Sequence, residues 1–173
     1  MVELNVALTN LGRDDDDTVS SYMDINNLAT TTVTTAGNWY VINSAFINDF
    51  GKYWEAGTTG IKRKATAPTR KFELEFMVGG QCDEAGDVKI AMVKNGTFTS
   101  GELTTGSIIP GSGGKDFADL AVQTGGEGEV NPRCFCPPIE LEAGDEITLV
   151  ITAAVSGAIF TPDGGSASAH QVK

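Results

Sequence analysis

A chain of 173 residues with 40% hydrophobic side chains is long enough to bury one core, so a single domain with a short appendage is expected. A formal charge of -11, from 23 acidic and 12 basic side chains, argues against nucleic acid and against an anionic membrane as partners. No stretch approaches the roughly 20 apolar residues of a membrane span, and "MVELNVALTN" has neither the basic start nor the apolar run of a signal peptide, so a cytoplasmic product is expected.

In chain order, residues 1–36 come first and differ in composition from the rest of the chain. "GRDDDDTVSSYMDINNLATTTVTTAG" holds four consecutive acids, many Thr and Ser, and scattered apolar residues, which reads as an extended arm, leaving 37–173 as the folded domain. Near the start, Val2, Leu4, Val6 and Leu8 alternate with other residues and suit a strand that joins a sheet edge; arm and strand can each hold for different parts. Asp14 to Asp17 read as a solvated acidic loop, or as a calcium cluster, although calcium loops alternate ligands with spacers and include a glycine turn.

From Gly37 onward the period is two. Five of the twelve cations, Lys62, Arg63, Lys64, Arg70 and Lys71, form a local basic patch, either a docking face for an acidic protein surface or a solvated strand edge. "KFELEFMV" places Phe72, Leu74, Phe76 and Val78 on one face against Lys71, Glu73 and Glu75. "DVKIAMVKNGTF" places Val88, Ile90 and Met92 together and predicts a tight hairpin turn at Asn95-Gly96. "DFADLAVQ" fits a short helix through Phe117, Leu120 and Ala121, or a strand containing Leu120 and Val122. In "CPPIELEAGDEITLVIT", Ile139 and Leu141 share a face, Gly144-Asp145 turns the chain, and Ile147, Leu149 and Ile151 resume the alternation. Glycine clusters such as "GSGG", "TGGEG" and "PDGG" punctuate short strands, so the expected class is all-β, a sandwich or barrel.

Chemistry is sparsely marked, and neither an enzyme nor a cofactor is expected. The one histidine, His170, stands four residues from the end in "SASAHQVK", a poor place for a triad base. Acids abound without a glycosidase motif, and no glycine-rich loop leads into a Lys-Ser or Lys-Thr helix start. Cys82, Cys134 and Cys136 read as reduced, buried thiols, with Cys134 and Cys136 on one strand face; with His170 they would also make a zinc set, but Cys-x-Cys is not the usual knuckle. Asn95-Gly96-Thr97 matches a glycosylation sequon, which the hairpin explains equally well.

From about Ser44 onward the order of features resembles the tumour necrosis factor and complement globular-head jelly rolls, including their bacteriophage and bacterial-spore relatives. "INDFGKYWEAGTTGIKRKATAPTRKFELEFMV" looks like that family's early loop, short strand and aromatic-rich strand, "VKIAMVKNGT" like the strand ending in Lys-Asn-Gly, and "IELEAGDEITLVI" like its Gly-Asp strand pair, with "AIF" and "SASAHQV" as closing strands. The resemblance implies an antiparallel jelly-roll sandwich, a compact homotrimer, a binding or assembly role and no catalytic centre. Outward apolar residues such as Ile42, Val93 and Val150 are expected to be buried by trimerisation. The family's collagen-like stalk or membrane anchor is replaced by a polar arm, which points to a phage virion part: a capsid decoration or cement protein, assembled in the host cytoplasm, located on the capsid surface and bound to the major capsid protein. Val2, Leu4, Val6 and Leu8 of the arm, together with Lys62, Arg63, Lys64, Arg70 and Lys71, are the expected capsid contacts. The alternative is a head-fibre or tail-fibre tip that binds host glycans, with Trp39, Tyr53 and Trp54 stacking sugars or, more plainly, packing in a core or trimer interface.

Overall fold

The computed structural model describes residues 17, 19–47, 51–83, 87–112, 120–121, 128–130 and 133–172, which hold fourteen strands and no helix. Strict alternation builds one of the long strands. In β7 (Arg70–Cys82), Phe72, Leu74, Phe76 and Val78 are buried while Lys71 and Glu73 stay exposed.

All pairings are antiparallel, in two sheets. In the first, β4 (Ser44–Ile47), β1 (Val19–Leu28), β14 (Ala158–Gln171) and β7 lie side by side; β12 (Arg133–Leu141) and β11 (Gly128–Val130) share the far edge of β7, and β2 (Thr31–Val33) lies beside β14. In the second, β5 (Trp54–Ala56), β6 (Gly60–Arg63), β13 (Glu146–Ala153) and β8 (Asp87–Thr99) are neighbours, β9 (Glu102–Ile108) and β10 (Leu120–Ala121) flank β8, and β3 (Tyr40–Val41) flanks β13. Successive long strands change sheets at β6 to β7, β7 to β8, β12 to β13 and β13 to β14, so strands distant in sequence pair at each sheet's centre. That connectivity makes the sandwich a jelly roll. Between the sheets, Trp54 meets Phe72 edge-on at 5.1 Å and Phe46 meets Phe76 at 5.7 Å, within a core that includes Ile61, Leu149 and Phe160.

The arm boundary at residue 36 needs correction. Val19–Leu28 and Thr31–Val33 are sheet strands: Val19 to Tyr22 pair with Ala169 to Ser166, and Thr31 to Val33 pair with Phe160 to Ala158. Hydropathy conceals these strands because their inward positions include polar residues that carbonyls satisfy. Buried Ser21 donates to the Ala167 carbonyl at 3.2 Å, and buried Thr31 donates to that of Val41 at 3.0 Å. Residues 1–16, with Val2, Leu4, Val6 and Leu8, lie outside the described residues.

Asn95-Gly96 is not the hairpin turn. Strand β8 continues to Thr99, which pairs with Glu102 across the two-residue loop Ser100-Gly101, where φ is 51° and 83° as a type I′ turn requires. Asn95 (φ 53°) sits instead in a β-bulge, its side chain donating to Asp145 Oδ1 at 2.8 Å and accepting from the Glu146 N–H at 2.9 Å. The bulge is thereby tied to the Gly144-Asp145 turn, and that turn is where the sequence placed it. "PDGG" likewise does not separate two closing strands, since Pro162 and Gly164 form a bulge within β14 with both flanks still paired to β7. Leu120 and Ala121 take the strand option, the rest of residues 116–123 lying outside the described residues.

The expected outward apolar residues are covered within the chain. Ile42 belongs to the main core. Val93 and Val150, with Ala91, form a second small core on the outer side of the β8–β13 pair. Strand β9 leaves β8 and reaches β3 through the Tyr40–Glu102 pair, closing β8, β9, β3 and β13 into a ring around these residues, with Trp39, Phe98, Leu103 and Ile108 packed against them. Burying Val93 and Val150 therefore requires no second copy.

Candidate attachment surface

The five cations of the basic patch do not share a face. Lys62, on β6, is half-buried and 3.9 Å from Glu55 across the β5–β6 pair. Lys64 donates to the carbonyls of Gly51 and Lys52 at 3.2 and 3.1 Å, holding the chain before β5. Arg70 donates to Gln171 Oε1, and its guanidinium lies 5.7 Å from the Tyr53 ring, with Lys52 Nζ at 5.1 Å from the same ring. Lys71 stands on the outer face of the first sheet, exposed, beside Glu73 and Glu75 on β7.

Arg63 is a correction, because its side chain is fully buried and unavailable to a partner. The alternation of "GIKR" turns Ile61 and Arg63 inward, and the guanidinium lies 4.9 Å from the Trp54 ring and 4.7 Å from Phe72. Nη2 donates to the Pro68 carbonyl at 2.7 Å. Nη1 is 2.7 Å from Asp17 Oδ2, an ion contact without hydrogen-bond alignment, since these two atoms, Asp17 Oδ1 and Arg63 Nε find no hydrogen-bond partner. The Asp17 carbonyl in turn accepts from Trp54 Nε1 at 3.2 Å. The last acid of the "DDDD" run is thus a buried counter-ion that clamps the N-terminal segment onto the sandwich, rather than part of a solvated loop. Opposite charges so far apart in the sequence gave no sign of this pairing.

The three aromatics proposed for sugar stacking are committed elsewhere. Trp54 is buried, Tyr53 packs half-buried on the main core among cations, and Trp39 covers the second core. Cys134 and Cys136 point inward together from β12, and Cys82 is also buried. Burial pushes the Cys134 thiol up to about 12 and that of Cys136 up to about 11. His170 is exposed on β14 across from Glu73, so the four residues of the supposed zinc set are not brought together.

Exposed Phe135 was not singled out by sequence reading. Its side chain, 46% exposed on edge strand β12, lines a shallow cleft of about 330 Å³ with Glu73, Glu75, Pro137 and His170. A second cleft, of about 360 Å³, opens beside the Asn95-Gly96 bulge, lined by Asn43, Thr58, Thr59, Thr97, Phe98 and Glu146 among others.

No protein-family profile matches the chain, and no curated protein sequence matches it. Among solved structures, the chain is similar to murine APRIL at 13% identity and a TM-score of 0.49, over 90% of this chain and 99% of that one. It is similar to Eiger TNF from S. frugiperda at 9% identity and a TM-score of 0.45, over 91% and 94% of the two chains. The PRD1 vertex protein P5 matches at 11% identity and a TM-score of 0.39, over 91% and 97%. The architecture itself rests on the sheet pairings above.

Proposed function

We propose that this chain is a structural protein of a phage virion: a trimeric decoration protein that attaches to the capsid lattice through its N-terminal segment. The reading assigns it binding and assembly and no catalysis. The observation that supports it is the buried Asp17 contact with Arg63 and Trp54, which ties the chain to the jelly roll immediately after residues 1–16. Sixteen residues reach at most roughly 55 Å when fully extended. Their alternating Val2, Leu4, Val6 and Leu8 suit pairing with an exposed sheet edge of a capsid subunit. Three such segments on one trimer convert weak single contacts into slow detachment by raising the effective concentration of the second and third. The basic patch is secondary in this scheme, with Lys62, Lys64, Arg70 and Lys71 dispersed and Arg63 buried.

The test is co-sedimentation with undecorated capsids of the full chain, of a chain lacking residues 1–16, and of a Lys62→Gln/Lys64→Gln/Lys71→Gln variant. The truncated chain should stay folded and lose attachment, and the triple variant should lose less. Equal decoration by the truncated chain would move attachment to the jelly roll itself. The fibre-tip reading loses the aromatic platform it was given, because Trp54 is buried and Trp39 and Tyr53 are engaged in packing.

A further inference from the structure

The cleft beside the bulge brings together groups that the proposed attachment does not use. Thr97 and Phe98 are consecutive, so in a regular strand they would face opposite sides. The register shifts that bracket Thr97 bring both to one cleft, together with Gly96. Glycine is required at 96, because a Cβ there would stand 2.9 Å from both the Phe98 ring and Val93. The opposite wall is the Thr58-Thr59 turn between β5 and β6, and Asn43, in the link after β3, completes the rim.

Glu146 is held in place before any ligand arrives. Its Oε1 accepts from the Thr59 N–H at 3.1 Å, its own N–H donates to Asn95, and Gly57 lies so close that a Cβ there would sit 2.4 Å from Oε1. A carboxylate has about four acceptor positions, so one backbone donor leaves most of its capacity. Asn43, Thr58 and Thr97 are exposed and bring an amide and two hydroxyls, each able to donate and accept. Val41 and the half-buried Phe98 add apolar surface. An acceptor fixed in advance, several two-way hydrogen-bonding groups and an apolar wall are what a small ring carrying many hydroxyls and apolar C–H faces needs. The fixed carboxylate, in a chain of charge -11, disfavours an anionic ring.

We propose that this cleft binds a neutral hexose unit of a glycan. The proposal is independent of capsid attachment, which has its own readout.

The experiment is an NMR titration of the full-length protein with glucose, galactose, mannose and N-acetylglucosamine, with neutral oligosaccharides of the same sugars, and with galacturonate as the anionic counterpart. At least one neutral sugar or oligosaccharide should shift the signals of Asn43, Thr58 and Thr97 and saturate in the millimolar range. Galacturonate should bind about tenfold more weakly or worse, because its carboxylate meets that of Glu146. Asn43→Ala/Thr58→Ala alters only exposed side chains and should weaken sugar binding about tenfold through two lost hydrogen bonds, leaving the melting temperature unchanged. The proposal is overturned if no neutral sugar or oligosaccharide moves these signals at roughly 50 mM, well above a millimolar Kd. Undiminished binding by the double variant overturns the site, and equal binding of galacturonate overturns the ligand class.

Discussion

Arg63 shows how one side chain can change meaning between sequence and structure. In the sequence it belongs to a run of cations; in the fold it is buried against two aromatic rings with Asp17 as its counter-ion. Removing one partner of a buried ion pair strands the other, so Asp17→Ala or Arg63→Ala should each cost about 3–5 kcal/mol in urea unfolding. A double Asp17→Leu/Arg63→Met variant should recover most of that loss. Asp145 gives a pH test. Burial by itself raises its carboxyl, but hydrogen bonds from Lys94, the Glu142 N–H and Asn95 outweigh it and hold the group below its ordinary 3.8. A depressed folded-state value means a stabilising contribution that is present above 3.8 and lost as pH falls through the folded value. Asp145→Asn should therefore remove part of the stability loss below that pH in a series of unfolding curves. The thiols of Cys134 and Cys136 are shifted the other way, so their contribution is complete below the ordinary 9.0 and declines as pH rises toward 11 and 12. In the native state at pH 8 both should resist alkylation and react only after unfolding.

At the scale of elements, the N-terminal boundary has the largest practical consequence. Deleting residues 1–16 leaves every described strand and the Asp17 clamp in place, and the product should unfold at nearly the same denaturant midpoint as the full chain. Deleting residues 1–36 removes β1 and β2, exposes the β14 edge and strands Arg63 without Asp17. That chain should be insoluble or lack a cooperative transition. The β8–β9 hairpin offers a milder test. Both residues of its turn have positive φ, and Gly101 has open space where a Cβ would stand, so Gly101→Ala has only a conformational cost, about 1 kcal/mol. Ser100→Asn should be neutral or stabilising by a few tenths of a kcal/mol, because asparagine tolerates the left-handed region better than serine.

For the whole molecule, the question is which face would hold the proposed trimer together, since Val93 and Val150 are covered by β9. Phe135 is the most exposed large apolar side chain among the described residues, and it lies on the outer side of the first sheet. The Pro137-Pro138 bulge in β12 cannot donate to a further strand, so this edge favours side-chain packing over sheet extension. Sedimentation at micromolar concentration should report three chains for the native protein, and Phe135→Glu should shift the population toward monomer with an unchanged melting profile. A native protein that sediments as a monomer would remove the multivalent part of the proposed attachment.

By itself, the sequence determined the strands whose two faces differ in polarity. Phe72 to Val78 alternate so regularly with Lys71, Glu73 and Glu75 that a one-residue slip would expose the core, and Val88 to Met92 and Ile147 to Ile151 carry the same inward set although their other face is also covered. It also determined the Gly144-Asp145 turn, where glycine adopts φ 85° without steric cost. Tertiary structure decided what local pattern cannot encode. The polar strands β1 and β2 form because a neighbouring edge and suitably placed carbonyls satisfy them. Asn95-Gly96 has the letters of a hairpin, but its side-chain bonds to Asp145 and Glu146 hold it as a bulge and move the turn to Ser100-Gly101. Arg63 and Asp17 meet only because the fold superposes distant segments, as do Asn43, Thr58, Thr97 and Glu146 around their cleft. Alternation along a strand fixes which way a side chain points, whereas the identity of its neighbour depends on which strands the topology brings together.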